Sequence, residues 1–165
     1  MSSTSVKTFA HSDPGASALS GTAGSQLAIV KTCLVDGRGA GAVATLVVAA
    51  GIATANYSAG HPFAVGSVGL FAGATPVELN GEKRILSVST TAVTFAAPGV
   101  ADGAATGSIT SKLAAAGWQQ LYAGTNLAAL KPSVPEATGC VLRIDDTGAL
   151  NARVRAFEAM TDAST

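Results

Sequence analysis

Charge is what this sequence has least of. Only 12% of its 165 residues are Asp, Glu, Lys or Arg, against about 25% in a typical soluble domain. Ten basic residues balance ten acidic ones, so the formal net charge is zero. The basic surplus that phosphate binding requires is therefore missing, which argues against nucleic acid as a partner. Apolar residues reach 48%, and that content excludes intrinsic disorder, which needs low hydrophobicity and high net charge.

Cysteine is also scarce, since the chain has two, Cys33 and Cys140. Two are too few for a small domain held together by disulfides, and their separation fits no metal or redox spacing. Buried free thiols are the favoured interpretation, and a Cys33–Cys140 pair stays open as the alternative. No motif indicates a cofactor or a metal ion.

Long apolar runs of membrane-spanning character are missing as well. The first ten residues lack the apolar core of a secretory signal. No charged residue lies between Arg38 and Glu78, but the apolar part of that interval, 39–55, is rich in Ala and Gly. It is shorter than the about 20 residues of a membrane span and contains a turn signal at Gly51. We therefore expect no membrane partner.

The pattern along the chain predicts a mainly β protein with one short helix near its start. Residues 1–22 indicate an N-terminal arm. An apolar stripe over Ser25–Asp36 predicts the helix, with Thr22 or Ser25 as its cap and Gly37 at its end. The predicted organisation is an arm at 1–22, a helix plus β-module at 23–113, and a C-terminal β segment at 114–165 packed on that module.

Short strands with turn signals between them predict a small antiparallel barrel or sandwich, followed by a second small sheet. Ala50-Gly51 is typical of a hairpin turn, and Asn80-Gly81 indicates a further tight turn. The predicted strands are 43–49, 52–58, 65–71, 84–89, 91–96, 106–113, 118–123, 141–145 and 152–159. Residues 131–135 are predicted to form a rigid loop.

Asp146-Thr147-Gly148-Ala149 is the one string that matches a catalytic motif, that of retroviral-type aspartic proteases. It lies so close to the end of the sequence that little room remains for a flap and further core strands. An Asp-rich turn between two strands is the favoured interpretation. Gly39-Ala40-Gly41 begins a dinucleotide-type string, but it follows a helix and precedes a strand, the reverse of the required context. No catalytic residue is assigned, and we expect the protein not to be an enzyme.

Candidate interface residues come from the few aromatic side chains. Phe63, Trp118 and Tyr122 are the candidates, because Trp and Tyr are favoured at interface hot spots. Ordinary core anchoring is the alternative for each. The charged residues around Asn80-Gly81 indicate either a solvated hairpin tip or a salt-bridged contact with a partner.

Several strings together resemble a group of virion-associated proteins of tailed bacteriophages and prophages. The strings that carry the resemblance are 60–66, 72–76, 79–88, 97–103, 105–110, 116–118, 124–126, 142–148 and 158–162. They are turn and packing strings, so they mark ancestry and not chemistry. The similarity covers most of the chain from about Ser20 on.

The resemblance implies a non-enzymatic structural component of a tailed-phage virion, assembled in the host bacterial cytoplasm. Such a component would be an accessory protein attached to capsid, neck or tail in multiple copies, as a capsid decoration, minor capsid or tail protein. Its partners would be other virion proteins and further copies of itself in a homo-oligomer. The alternatives are a receptor- or glycan-binding tail-fibre module that uses Trp118 and Tyr122, and a maturation protease that uses Asp146.

The uneven placement of charge yields one further expectation. The uncharged stretch from Gly39 to Val77 should supply both the core and much of the surface between subunits. Low charge suits such a surface because little desolvation cost is met when copies pack together.

Overall fold

A computed structural model describes residues 3–134 and 137–162 of the chain. It confirms the predicted fold class, with 41% of residues in strands and 9% in helices. The helical parts are α1 (Ser25–Lys31), a π-helical turn (Thr32–Asp36) that continues it, and a 3₁₀ turn (Val77–Leu79). The strands are β1 (Arg38–Ala42), β2 (Thr45–Ala49), β3 (Ile52–Asn56), β4 (Val68–Ala72), β5 (Gly81–Val88), β6 (Ala92–Ala96), β7 (Gly103–Ala104), β8 (Thr110–Leu113), β9 (Trp118–Gly124), β10 (Leu127–Pro132), β11 (Val141–Asp145) and β12 (Arg153–Phe157).

The chain divides into two compact units whose boundaries differ from the predicted segments. One unit contains Arg38–Ala114 and the chain up to Ala16, and the other contains Ser17–Gly37 and the chain from Ala115 on. The helix therefore groups with the last sheet and not with the β-module of 23–113. The physical reason is its apolar stripe: Leu27 is buried in one cluster with Ala128, Leu130 and Ile144 of the last sheet.

The first unit is one curled antiparallel sheet of eight strands in the order β1-β8-β4-β5-β6-β3-β2-β7. Its concave side holds a core of apolar side chains, and more than half of the buried members come from the uncharged stretch 39–77. That part of the expectation for the stretch is confirmed. Aromatic rings form the centre of the core, where the Phe71 and Phe95 rings lie 4.6 Å apart between centroids.

The hairpin predicted at Ala50-Gly51 is present between β2 and β3. Both turn residues have positive φ, 51° at Ala50 and 74° at Gly51, as a tight two-residue hairpin turn requires. The second predicted turn, at Asn80-Gly81, is not a hairpin. Asn80 instead ends the 3₁₀ turn, and its side chain both donates to and accepts from the backbone of Ala74, at 2.8 Å each.

The second unit is a four-stranded antiparallel sheet in the order β12-β11-β10-β9, with α1 and its π-helical turn packed on it. Residues 131–135 were predicted as a loop, but Lys131 and Pro132 end strand β10, and Ser133 and Val134 follow that strand. Pro132 can occupy this position because a strand end demands no further N–H donor. The last residue of the predicted loop, Pro135, lies outside the described residues.

The predicted caps of α1, Thr22 and Ser25, do not cap it. The helix begins after Gly24, whose φ is 87° and which has no side chain that could accept a backbone N–H. The acceptor at this helix start is Asp146 from the far end of the sequence, whose carboxylate Oδ2 accepts the N–H of Leu27 at 2.9 Å.

Candidate functional site

The convex side of the eight-stranded sheet presents a patch without ionisable side chains, built from residues of five neighbouring strands. Glu82 and Arg84 of β5 lie on the same side, beside this patch. Leu46, Val48, Ala53, Val93 and Phe95 point into the core. Because side chains alternate along a strand, the intervening residues of β2, β3 and β6 point outward. We call the resulting surface the outer face; it consists of Thr45, Val47, Ala49, Ile52, Thr54, Asn56, Ser87, Ala92, Thr94, Ala96 and Ala104.

Strand register lines these outward residues up in rows. The central row runs across paired positions from Ala104 through Val47, Thr54 and Thr94 to Ser87. A hydrogen bond of 2.6 Å joins the hydroxyls of Ser87 and Thr94 within that row. Hydroxyl and methyl groups thus cover the outer face, and neither needs a counter-ion when another surface covers it.

Two β-branched apolar side chains stand out on the outer face. Val47 is 39% exposed and Ile52 is 38% exposed. Single exposed apolar residues are ordinary, but these two lie on paired neighbouring strands within the outer face. An uncharged sheet surface of this kind suits packing against another protein surface.

Residues 3–7 lie beside the outer face, held by two side chains of β5. The guanidinium of Arg84 donates to the carbonyl of Ser3 at 2.9 Å and to that of Val6 at 2.8 Å. Glu82 forms a 3.0 Å ion pair with Lys7, whose side chain is only 10% exposed. Within the charged cluster near Asn80-Gly81, predicted as a hairpin tip or a partner contact, Glu82 and Arg84 therefore bind the chain's own arm, whereas Lys83 donates to the carbonyl of Glu78 at 2.7 Å.

A second ion pair fixes the arm further along. Arg38 of β1 donates to Asp13 at 2.8 Å, and its side chain is 10% exposed. Between the two ion pairs, Phe9 packs against the core of the first unit. Nearby, a groove of about 720 Å³ is lined by Thr4 of the arm and by Gly51, Glu82, Lys83, Arg84, Ala96 and Pro98 of the sheet. Burial lowers the pKa of Lys83 in this groove below its ordinary value.

The three predicted interface residues divide between the two units, with Phe63 in the first and Trp118 and Tyr122 in the second. Phe63 is 2% exposed, with its ring against those of Tyr57 and Phe71, so the expectation that it lies at an interface is corrected. Trp118 is half-buried and packs against the core of the second unit. Tyr122 is half-buried too, and its hydroxyl donates to the carbonyl of Met160 at 3.1 Å.

Asp146, the acid of the protease-like string, has a structural role. It is 4% exposed, and besides accepting from Leu27 it joins two other backbone segments. Its carbonyl accepts the N–H of Gly24 at 2.8 Å, and its N–H donates to the carbonyl of Asn126 at 2.8 Å. The favoured interpretation, a turn between strands, agrees with its position between β11 and β12.

Cys33 and Cys140 do not form a disulfide with each other, and one of them departs from the prediction. Cys33 is half-buried, whereas Cys140 is exposed and not the buried thiol that was expected. Cys140 directly precedes β11, so its side chain lies outside the packed strand that begins at Val141. Within the described part of the chain, no three His, Cys, Asp or Glu side chains come together as a metal site would require.

Helices of the length and apolarity that crossing a bilayer demands do not occur among the described residues. Comparison of the chain with known protein families, with curated proteins and with solved structures gave no match. The outer face and the arm beside it are the surface features that bear on function.

Proposed function

We propose that the protein is a non-enzymatic structural component of a tailed-phage virion. It is an accessory protein, present in multiple copies and attached to capsid, neck or tail. The outer face carries this proposal on the structural side, and the resemblance of the sequence strings to virion-associated proteins supplies the phage context. Particle proteins meet their neighbours through repeated, symmetric contacts, in which many small surfaces add up.

The absence of charge on the outer face is the observation that supports packing against neighbours. Each buried ionised group costs several kcal/mol, roughly, unless a partner compensates it. A face built from Thr, Ser, Ala, Val and Ile meets no such cost, while its hydroxyls still find acceptors across an interface. Zero net charge also removes the mutual repulsion that keeps copies of a soluble protein apart.

Half-burial of Trp118 and Tyr122 bears on the alternative, a receptor- or glycan-binding module. A sugar-stacking platform needs exposed ring faces, whereas Trp118 packs against a core and Tyr122 uses its hydroxyl on the chain's own backbone. This observation favours the structural component over the binding module.

Mass spectrometry of purified particles tests the proposal. We expect the chain in mature particles of the phage that encodes it, at a copy number matching a symmetric position. Absence from mature particles would refute the structural role. A point variant then tests the surface: Val47→Lys places a charge in the central row of the outer face, and we expect it to lower incorporation into particles while leaving the fold intact.

Leu150→Lys is the matched control for that variant. Leu150 is 94% exposed and belongs to the second unit, so this substitution adds the same charge at an exposed residue that is not part of the outer face. We expect it to be incorporated like the natural chain. Equal incorporation of the two variants would show that the outer face is not the packing surface.

A further inference from the structure

The arm, residues 3–16, is joined to the first unit in an unusual way. Its described backbone–backbone hydrogen bonds stay within the arm, from the N–H of Asp13 to Ala10 and from the N–H of Ala16 to Asp13. The contacts that hold it on the sheet come from side chains: Arg84, Glu82 and Arg38 bind it from the body. We call these three side chains, Arg84, Glu82 and Arg38, the seat of the arm. Among the described residues, no backbone–backbone hydrogen bond joins the arm to the sheet, so the arm can leave the seat without breaking one.

The described polar contacts that hold the arm all involve charged side chains, and Phe9 adds an apolar contact with the core. Five of the few charged residues take part in them, namely Lys7, Asp13, Arg38, Glu82 and Arg84. Partly exposed ion pairs are weak individually and are screened by salt. The chain has few charged residues, and several of them meet at this contact. The seat therefore binds the arm specifically, but the binding is reversible.

Glycines bracket the point at which the chain leaves the first unit. The unit boundary lies between Ala16 and Ser17. Gly15 and Gly21 both have positive φ, 71° and 69°, and a Cβ at either position would meet no atom within 4 Å. The backbone can therefore rotate about these positions without a side chain colliding with its surroundings.

Two residues of the seat, Glu82 and Arg84, lie on the same side of the sheet as the outer face, whereas Arg38 is paired with the core residue Leu113. Ile85 points into the core, and Glu82 and Arg84 lie at odd offsets from it along β5, so both point outward. Ser87, after a register irregularity, pairs with Thr94 on the outer face. A second copy that packs on the outer face thus brings its own arm close to this seat.

We propose that the seat formed by Glu82, Arg84 and Arg38 also takes the arm of a second copy of this chain, so that neighbouring copies exchange arms. The contacts in the exchanged state are the same as those within one copy. The ratio of exchanged arms to arms bound to their own chain therefore depends on the local protein concentration. Where copies are closely packed, exchange links them. The inference rests on the proposed function for its role in a particle, but its test uses the purified chain alone.

Zero-length carbodiimide cross-linking tests the proposal directly. The reagent activates a carboxylate, and an adjacent amine attacks it to form an amide with release of the urea. Lys7 Nζ and Glu82 Oε1, 3.0 Å apart, are positioned for this product. Natural-abundance and ¹⁵N-labelled full-length chain are mixed over a range of protein concentrations, cross-linked, digested and examined by mass spectrometry.

Arm exchange predicts Lys7–Glu82 products that combine one labelled and one unlabelled peptide. Their share should rise with protein concentration towards the statistical distribution, and Lys7→Gln should abolish them. Same-label products alone, at every concentration, would overturn the proposal. So would a lack of any Lys7–Glu82 product, because the arm would then not occupy its seat.

The ion pair between Lys31 and Asp36 supplies an internal control. Its atoms lie 3.9 Å apart, five residues apart along one helical segment, so its product must stay within one chain. Mixed-label products at this pair as well would indicate non-specific association and would also overturn the proposal. If the cross-linking experiment gives no mixed-label Lys7–Glu82 product, the incorporation of the chain into particles is still tested independently. Failure of the arm-exchange proposal is therefore distinguishable from failure of the proposed function.

Discussion

The carboxylate of Asp146 accepts the backbone N–H of Leu27 at 2.9 Å, although 119 positions separate the two residues along the chain. Leu27 lies in the first turn of α1, where backbone N–H groups have no partner within the helix. A side chain of the helix start itself supplies this acceptor in most helices. Here Gly24 stands at that position, and the cap comes from the far end of the sequence.

Replacing Asp146 tests this long-range cap. We expect Asp146→Ala to lower the free energy of unfolding by about 1–2 kcal/mol, because the Leu27 N–H loses its acceptor at a buried site. Asp145→Asn is the neighbouring control; its side-chain oxygen can still accept from Thr147, so a smaller loss is expected. Urea unfolding monitored by Trp118 fluorescence measures both, and equal losses would contradict the capping role.

Sequence reasoning found the elements whose signals are local. The Ala50-Gly51 hairpin and the apolar stripe of α1 belong to this group, since turn chemistry and helical periodicity both act within a few residues. It missed β1, because Gly39 and Gly41 are poor strand formers and carry no side chain from which alternation could be recognised. It also missed β10, whose end at Lys131-Pro132 reads as a loop.

The remaining differences depend on contacts between distant residues. Capping of α1 by Asp146, and the binding of the arm by Arg84 across 81 and 78 positions, have no local signature. The outer face was foreseen only as an uncharged stretch, 39–77. The structure shows that β6 and β7, from beyond that stretch, complete it, because strand order places them beside β3 and β2.

Acid titration of Asp145 gives a second prediction. Hydrogen bonds from the hydroxyl and the backbone N–H of Thr147 lower the pKa of the Asp145 carboxyl below its ordinary 3.8, with a further contribution from nearby Arg143. A group with a lowered folded-state pKa stabilises the fold above its unfolded pKa, and this stabilisation is lost as the pH falls through the folded pKa. We expect Thr147→Val to raise the Asp145 pKa, and Thr147→Ser to restore it.

Carboxyl chemical shifts from NMR, followed over the acid range, measure these pKa changes. The stability difference between Thr147→Val and the natural chain should also shrink as the solution becomes acidic enough to protonate Asp145 in both. An unchanged Asp145 titration in Thr147→Val would show that the hydroxyl is not the main cause of the lowered pKa.

Gly73 supports a third prediction. It distinguishes the cost of a Cβ colliding with neighbouring backbone from the cost of a positive φ alone. Gly73 has a φ of 80°, and a Cβ there would lie 2.2 Å from the carbonyl oxygen of Ser108. Gly99 has a similar φ of 77°, but a Cβ there would meet nothing within 4 Å. Positive φ alone costs a non-glycine residue about 1–2 kcal/mol. Gly99→Ala should show that loss in urea unfolding and Gly73→Ala a clearly larger one; similar losses would argue against the close backbone approach.

Asn80 provides the last prediction, since its side-chain amide takes the place of a backbone partner for both the N–H and the carbonyl of Ala74. Its Oδ1 accepts the N–H of Ala74 and its Nδ2 donates to the carbonyl of Ala74, both at 2.8 Å, while Ala74 is 5% exposed. Asn80→Ala leaves both buried backbone groups without these partners, so we expect a loss of about 1–3 kcal/mol. Faster hydrogen exchange of the Ala74 amide should accompany it.

Asn56→Ala is the matched control for Asn80, because it removes a side-chain hydrogen bond at an exposed site. Asn56 donates to the hydroxyl of Thr45 at 2.9 Å on the outer face. Exposed substitutions of this kind change stability by less than about 0.5 kcal/mol. A loss at Asn56 as large as that at Asn80 would mean that burial of Ala74 does not set the cost, and that the 74–80 segment is held by something other than the amide of Asn80.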